Sequence, residues 1–360
     1  MAKKIKPLLF WTASYAYMGE AMLKSGLFRR GSLARSINAD GEPDLADKPF
    51  PDGERYHRLL TDVDGQEVIV VGGTTDDRET MELFDIGNLL VDMGASELKM
   101  VIPYYGYSTM ERAIKEGEAV KAKYRARLLS SIPPARQGNS IFMVDLHSVG
   151  TQHYFEGATH TRHIYAKSVV IDSVKQLLLE RAGLDASYLT SRSAAKQAAA
   201  AEALKAPFVF ASTDVGRSAW VDSLTREMVG LGLNASAAFI IKRRKSGDSS
   251  EVRDISADVD DAFVIIYDDM VRTGGSLIKA AKAYREKGAV DVAAILTHCV
   301  LPGTSLEKLV ASGAFSKIAV TNSHPRSVEL LNSQIKPFLV VNSIANLLAE
   351  KVTKGRLQLV

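Results

Sequence analysis

Short runs rich in Val and Ile recur along the 360-residue chain: EVIVV from position 67, LKMVI from 98, IFMV from 141, FVFA from 208, AAFII from 237, FVIIY from 263, VAAIL from 292, KIAVT from 317 and FLVV from 338. They are apolar at consecutive positions rather than at every second one. Strands that read this way are buried on both faces, which predicts an α/β protein with mainly parallel sheets flanked by helices. Helical patterns lie between the runs. In DDRETMELFDIGNLLVDMGA, from 76, Leu83, Ile86, Leu90 and Met93 form one stripe, acids open the segment and Gly94 offers a stop. GSLIKAAKAYREKGAV, from 275, has the same form and ends at Gly288.

Two stretches break the rhythm. SVGTQHYFEGATHTRHIYA, 148 to 166, is polar, aromatic and rich in histidine, and it falls where one α/β half hands over to the next. A chain of 360 residues exceeds the length at which one core keeps growing. Two domains are therefore predicted, 1–162 and 163–360, with the last helix free to pack on the N-terminal one. RRKSGDSSEVRDISADVDD, 243 to 261, is charged, bears Gly and Ser, and predicts an exposed, mobile loop.

Composition narrows the function. Hydrophobic residues at 46% and charged residues at 24% are those of a globular protein, and a net charge of +3, with KRRK at 242 to 245 as the one dense basic run, marks neither a nucleic-acid nor a membrane binder. The apolar residues of MAKKIKPLLFW are too few for a secretory signal, and no apolar run approaches a membrane span. The single cysteine, Cys299, excludes an internal disulfide framework, reads as a buried strand thiol and fits a reducing cytoplasm. Among the histidines, His153, His160, His163 and His324 read as surface residues and His298 as a core or rim residue; none of these five falls in a zinc-like spacing.

Chemistry concentrates in AFVIIYDDMVRTGGSLIKAA, 262 to 281. Asp268 and Asp269 end an apolar strand, and ligands of parallel sheets bind beyond the carboxyl ends of strands. Thr273, Gly274, Gly275 and Ser276 then lead into a helix, offering backbone N–H groups, hydroxyls and the helix N-terminal partial charge to a phosphate. Acids repel phosphate but suit sugar hydroxyls, directly or through Mg²⁺. Together the two halves of the stretch ask for a sugar phosphate.

This arrangement resembles the phosphoribosyl-diphosphate binding loop of type I phosphoribosyltransferases and of ribose-phosphate diphosphokinases. KPFPDGERY at 48, VIPYYGYSTMER at 101, MVDLHS at 143, FASTDVG at 210, IIKRR at 240, LTHCVLPG at 296 and IAVTNSHP at 318 are similar to the diphosphokinase segments, in the same order. The segment from 105 to 139, with Glu-Arg, Glu-Gly and an Ile-Pro turn, looks more like the class II, plant-type branch. The resemblance implies two phosphoribosyltransferase-like domains. It also implies transfer of the β,γ-diphosphoryl group of ATP to O1 of ribose 5-phosphate, with Mg²⁺, in a homo-oligomer of at least two chains.

Roles follow by resemblance. Lys242 and Arg244 match the catalytic lysine and arginine, and His147 and Asp214 match the Mg²⁺ ligands. Asp268, Asp269 and Arg272 with Thr273 to Ser276 match the ribose 5-phosphate loop, Arg272 replacing a third acid. Phe50, Asp52 and Glu54 match a loop that reaches a neighbouring subunit's adenine, and Arg112 is the positive residue nearest the place of an ATP-contacting Arg-Gln pair, where Thr109 and Met110 stand. Those two departures leave room for a non-catalytic, synthetase-like subunit. A phosphoribosyltransferase is the other rival, and FPDGE and DLHS speak against it.

Overall fold

The structure, a computed structural model, describes residues 5–244, 250–331 and 338–354. It divides into two compact units, one running to Tyr165 and resuming at Ile344, the other from Ala166 to Ser343.

In the first unit, β1 (Leu8–Trp11), β2 (Arg29–Arg30), β3 (Glu67–Val71), β4 (Glu97–Ile102), β5 (Asn139–Val144) and β6 (Thr159–Ile164) form a sheet in the order β6-β5-β4-β3-β1-β2. Every pairing in it is parallel. Helices α1 (Ala16–Leu23), α2 (Asp77–Asp92) and α3 (Lys121–Ser130) belong to the same unit. The doubly apolar run behaves as its pattern requires: Val68, Ile69, Val70 and Val71 are all fully buried. Each such side chain stabilises the fold by roughly 1.5–3 kcal/mol.

Helix α2 shows why the stripe forms and where it fails. Asp76 caps it, accepting from the Glu79 N–H at 2.8 Å. Leu83, Ile86 and Leu90 are fully buried, but Met93 is 52% exposed. The helix ends at Asp92, and Gly94 at φ 88° turns the chain away before Met93 completes the stripe.

The second unit holds β7 (Phe208–Ser212), β8 (Ala235–Arg244), β9 (Ser250–Ile255), β10 (Phe263–Val271), β11 (Asp291–Cys299), β12 (Lys317–Thr321) and β13 (Leu339–Asn342), in the order β9-β8-β7-β10-β11-β12-β13. All pairings are parallel except β8 with β9. Its helices are α4 (Lys167–Arg181), α5 (Ala194–Ala203), α6 (Ser218–Gly230), α7 (Gly275–Glu286), α8 (Ser305–Ala311) and α9 (Arg326–Leu331). The last helix, α10 (Ala345–Lys354), packs on α1 of the first unit. Cys299 is fully buried, and burial pushes its thiol up to about 12.

Two stretches carry more regular structure than their polarity suggests. The segment from 148 to 166 contains a short helical turn, Val149–Tyr154, and all of β6, an edge strand in register with β5. Part of the expected loop at 243–261 is the antiparallel edge strand β9; residues 245 to 249 lie outside the described residues. Both strands lie at sheet edges, and charged or polar edge strands protect a sheet from pairing with another chain. His163 and His324 are half-buried rather than surface residues. Burial, the neighbouring His298 and Arg326 push the His324 imidazole down to about 4.

The turns that follow β3 and β4 meet at Gly106, whose N–H donates to the Thr74 hydroxyl at 2.7 Å. A Cβ there would lie 1.8 Å from the Thr74 carbonyl oxygen, and a backbone oxygen cannot step aside. The Gly106→Ala variant should lose about 2–4 kcal/mol of stability in a urea unfolding curve. An unchanged midpoint would mean that these two turns do not approach in solution.

Candidate active site

Each of the two large sheets has one point where the strand order reverses, the place at which ligands of open α/β sheets bind. In the second unit that point lies between β7 and β10. The turn after β7 carries Thr213 and Asp214, and the end of β10 carries Asp268 and Asp269.

The two acids are unequal. Asp269 keeps 3% of its side chain exposed and Asp268 22%. Asp268 accepts from the Thr213 hydroxyl at 3.0 Å and from the Asp269 N–H at 2.9 Å. Burial, and then the charge of Asp269, pushes the Asp268 carboxyl up to about 7. Arg217 answers that repulsion: its Nη2 lies 2.7 Å from an oxygen of Asp269 and its Nε 3.9 Å from an oxygen of Asp268. Although burial opposes its charge, Asp269 and Asp268 hold the guanidinium above its ordinary pKa.

Asp214 caps the short helical turn Val215–Arg217, accepting from the Gly216 N–H at 2.9 Å, and is half-buried. The Tyr284 hydroxyl of α7 donates to the Ser212 carbonyl at 2.9 Å, tying that helix to the end of β7.

Beyond β10 the chain turns through Arg272, Thr273, Gly274, Gly275 and Ser276; all but Gly274 are exposed. Gly274 has φ 78°, and a Cβ on it would stand 2.7 Å from Leu309, so backbone shape and space both require glycine. Helix α7 starts without a side-chain cap and without an acid in its first turn. Its first N–H groups are therefore open to an anion.

Lys242 and Arg244 stand at the end of β8, opposite Val252 and Ser250 of β9. Their side chains lie outside the described residues.

In the first unit the point of reversal lies between β1 and β3 and is filled from within. The Glu79 carboxylate accepts from the Thr12 hydroxyl at 2.5 Å and from the Gly73 N–H at 3.1 Å, and burial raises its pKa. A Cβ on Gly73 would meet the Tyr15 ring at 2.6 Å.

The other predicted residues of this unit lie on exposed turns. FPDGE closes a tight turn, with the Phe50 N–H donating to the Glu54 carbonyl at 2.8 Å and the Glu54 N–H to the Asp52 carboxylate at 3.0 Å. Phe50 is 39% exposed, edge-on to Tyr56. Arg112 is 76% exposed beside Glu111. His147 is exposed one turn past β5; the preceding Leu146 N–H donates to the His163 ring at 3.0 Å, and Asp145 takes the left-handed φ of 35°.

The second unit thus gathers Asp268, Asp269, Asp214 and the turn at 272–276 on neighbouring strand ends. Sequence reasoning missed Thr213 and Arg217. One signal pointed to Arg217: it heads a helix, where the helix dipole disfavours a cation unless an acid compensates.

The fold is a two-unit α/β fold, similar to that of phosphoribosylpyrophosphate synthetase from Mycobacterium smegmatis, with a TM-score of 0.74 and 23% identity over 98% of this chain and 100% of that one. Residues 33–132 match the N-terminal domain of ribose phosphate pyrophosphokinase, and residues 246–356 match the phosphoribosyl synthetase-associated domain. Ribose-phosphate pyrophosphokinase of Nostoc sp. is 30% identical over 89% of this chain and 85% of its own length. A rice relative, ribose-phosphate pyrophosphokinase 2, chloroplastic, is 30% identical over 85% of this chain and 67% of its own length. The chain belongs to the ribose-phosphate pyrophosphokinase family. No helix among the described residues is long and apolar enough to cross a membrane.

The raised pKa of Asp268 sets a direction for stability. An acid that holds its proton more tightly folded than unfolded favours the folded state at low pH, and this contribution is lost as pH rises from about 4 through about 7. Asp268→Asn should flatten that decline and leave the ligand-free protein roughly 2 kcal/mol more stable than the parent at pH 8. Urea unfolding at pH 5 and pH 8 reads the effect. Parallel pH profiles for parent and variant would show that Asp268 is not the strained group.

Proposed function

We propose that the strand ends of the second unit bind ribose 5-phosphate for the diphosphokinase reaction: O1 of the sugar attacks the β-phosphorus of ATP, AMP leaves with the bridging oxygen, and the O1 proton is lost. The observation that carries the assignment is a pair of acids at the point of strand reversal, continuous with a hydroxyl-bearing turn and an uncapped helix N-terminus. Asp268 and Asp269 serve the ribose side. Thr273, Gly274, Gly275 and Ser276 cradle the 5-phosphate, with Arg272 adding positive charge at the lip.

The transferring group needs cations over the oxygens that gain charge in the transition state. Lys242 and Arg244, by their place at the end of β8, are the residues we assign to it. Among the described residues no three His, Cys, Asp or Glu side chains gather to hold a metal by themselves. Mg²⁺ does not need such a cage, because it keeps several waters and shares phosphate oxygens with one or two protein ligands. Asp214, an oxygen donor on the β7 turn, fits that chemistry, and we assign His147 to Mg²⁺ as well. Mg²⁺ when bound would draw charge from the phosphate oxygens.

The ATP assignments rest on exposed groups. Phe50 offers an aromatic face and Asp52 and Glu54 offer acceptors for an adenine amino group, with Arg112 on the phosphate side. An exposed aromatic on a rigid turn suits a neighbouring subunit's nucleotide, so we read the enzyme as a homo-oligomer of at least two chains. A single, buried cysteine is compatible with a cytoplasmic setting.

Purified protein given ATP, Mg²⁺ and ribose 5-phosphate should release AMP only when the sugar phosphate is present. Lys242→Ala should lower kcat about 10²-fold or more. A variant as active as the parent would remove Lys242 from the transition state.

A further inference from the structure

Arg217 sits where a cation is least expected. It heads α6, at the end of the helix that carries partial positive charge. It is also largely covered, with 21% of its side chain exposed. What holds it there is the pair of acids at the end of β10: a close contact to Asp269 and a longer one to Asp268. Asp269 is almost completely buried and ion-paired with Arg217, whereas Asp268 keeps 22% of its side chain exposed. A sugar hydroxyl arriving from solvent thus meets Asp268, and Asp269 is already engaged.

We infer that Arg217 is a positioning residue for ribose 5-phosphate: it takes Asp269 as its ion-pair partner and leaves Asp268 as the ionised acceptor of a ribose hydroxyl. This rests on the assignment of the sugar phosphate to these strand ends. The groups facing Asp268 are Asp269 on its own strand, Arg217 from the turn before α6 and the Thr213 hydroxyl from the turn after β7. Of these, Asp269 favours the neutral acid while Arg217 and Thr213 favour the carboxylate. Deleting the guanidinium removes the one cation facing Asp268 and leaves it the Thr213 hydroxyl and the Asp269 N–H beside the Asp269 charge. Asp268 then holds its proton to higher pH, and a protonated acid is the poorer acceptor for a sugar O–H.

The test measures binding of ribose 5-phosphate by calorimetry between pH 6 and pH 9, in Mg²⁺ and an ATP analogue whose α,β-bridge is a methylene group that cannot be cleaved. Arg217→Gln should weaken binding about tenfold at pH 7, with affinity recovering towards pH 9. In turnover it should raise KM for ribose 5-phosphate while kcat changes less than about threefold. Arg217→Lys should recover part of the loss. In an Asp268→Asn background, Arg217→Gln should add no pH dependence of its own.

An affinity and a pH midpoint unchanged in Arg217→Gln would overturn the inference. So would a fall in kcat at constant affinity, which would put Arg217 on the transferring group. If Arg217→Gln does not fold, Arg217→Lys is read alone: about threefold weaker binding with an alkaline shift supports the role, and no shift overturns it. Asp268→Asn separates the two levels of the reading. Unchanged binding in that single variant would remove the sugar from these strand ends altogether, whereas weakened binding there with a silent Arg217→Gln removes only the role of Arg217.

Discussion

The second unit's site is organised around the repulsion between two consecutive carboxylates at the end of a buried strand. At an effective dielectric of about 20, like charges 4 Å apart repel by about 4 kcal/mol, enough to move a pKa by several units or to demand a counter-charge. The protein does both. Burial, and then the charge of Asp269, push the Asp268 carboxyl up, and Arg217 is drawn to the head of a helix against that helix's own dipole. The neighbouring elements are fixed by separate devices: Tyr284 ties α7 to the end of β7, and Gly274 lets the turn close against Leu309. The acids, the turn and the helix N-terminus are thereby held in place before any ligand arrives.

The first unit shows what the same plan becomes when the charge is reversed. Both sheets change strand order beside a helix whose N-terminus follows a turn rich in small residues. At α2 that end is occupied by the protein's own acids, with Asp76 as cap and Asp77 and Glu79 in the first turn, and Glu79 takes up the Gly73 N–H and the Thr12 hydroxyl. An incoming phosphate would meet filled donors and negative charge. At α7 the same region carries neither acid nor cap. One architecture is thus closed to anions in one unit and open in the other, and the difference lies in a few side chains rather than in the fold.

The nine apolar runs were legible because an unbroken apolar stretch leaves no room for polar alternation, and each became a strand of one of the two sheets, although AAFII buries fully only Ala238 and Ile240 and FLVV only Leu339. What escaped lay at the margins. LLFW became β1 although it is only four residues long, and THTRHI and SEVRDI became edge strands whose composition reads as loop. Met93 followed helical spacing but fell one residue beyond the helix. At the site, the acids and the glycine turn announced themselves because strand end, turn and helix start are contiguous in the chain. The Arg217 contacts did not, since they join residues far apart in sequence: its place at a helix start calls for an acid but does not say which one.

Arg272 belongs to this balance of charge. An acid at that place would add to a repulsion that Asp268 and Asp269 already strain. An exposed arginine there does the opposite. It stands beside the uncapped N-terminus of α7, where the helix dipole already favours an anion, so the turn gains attraction for phosphate as the strand end loses an acceptor. Asp268 and Asp269 are matched in charge by Arg217 and Arg272, with Asp214 beside them on the turn after β7. On the proposed assignment, affinity depends on how the charges are arranged: an acceptor on the strand end for hydroxyls, and donors and cations on the turn for phosphate. A ligand polar in both senses along its length, as a sugar phosphate is, matches that separation better than any simple anion or cation could.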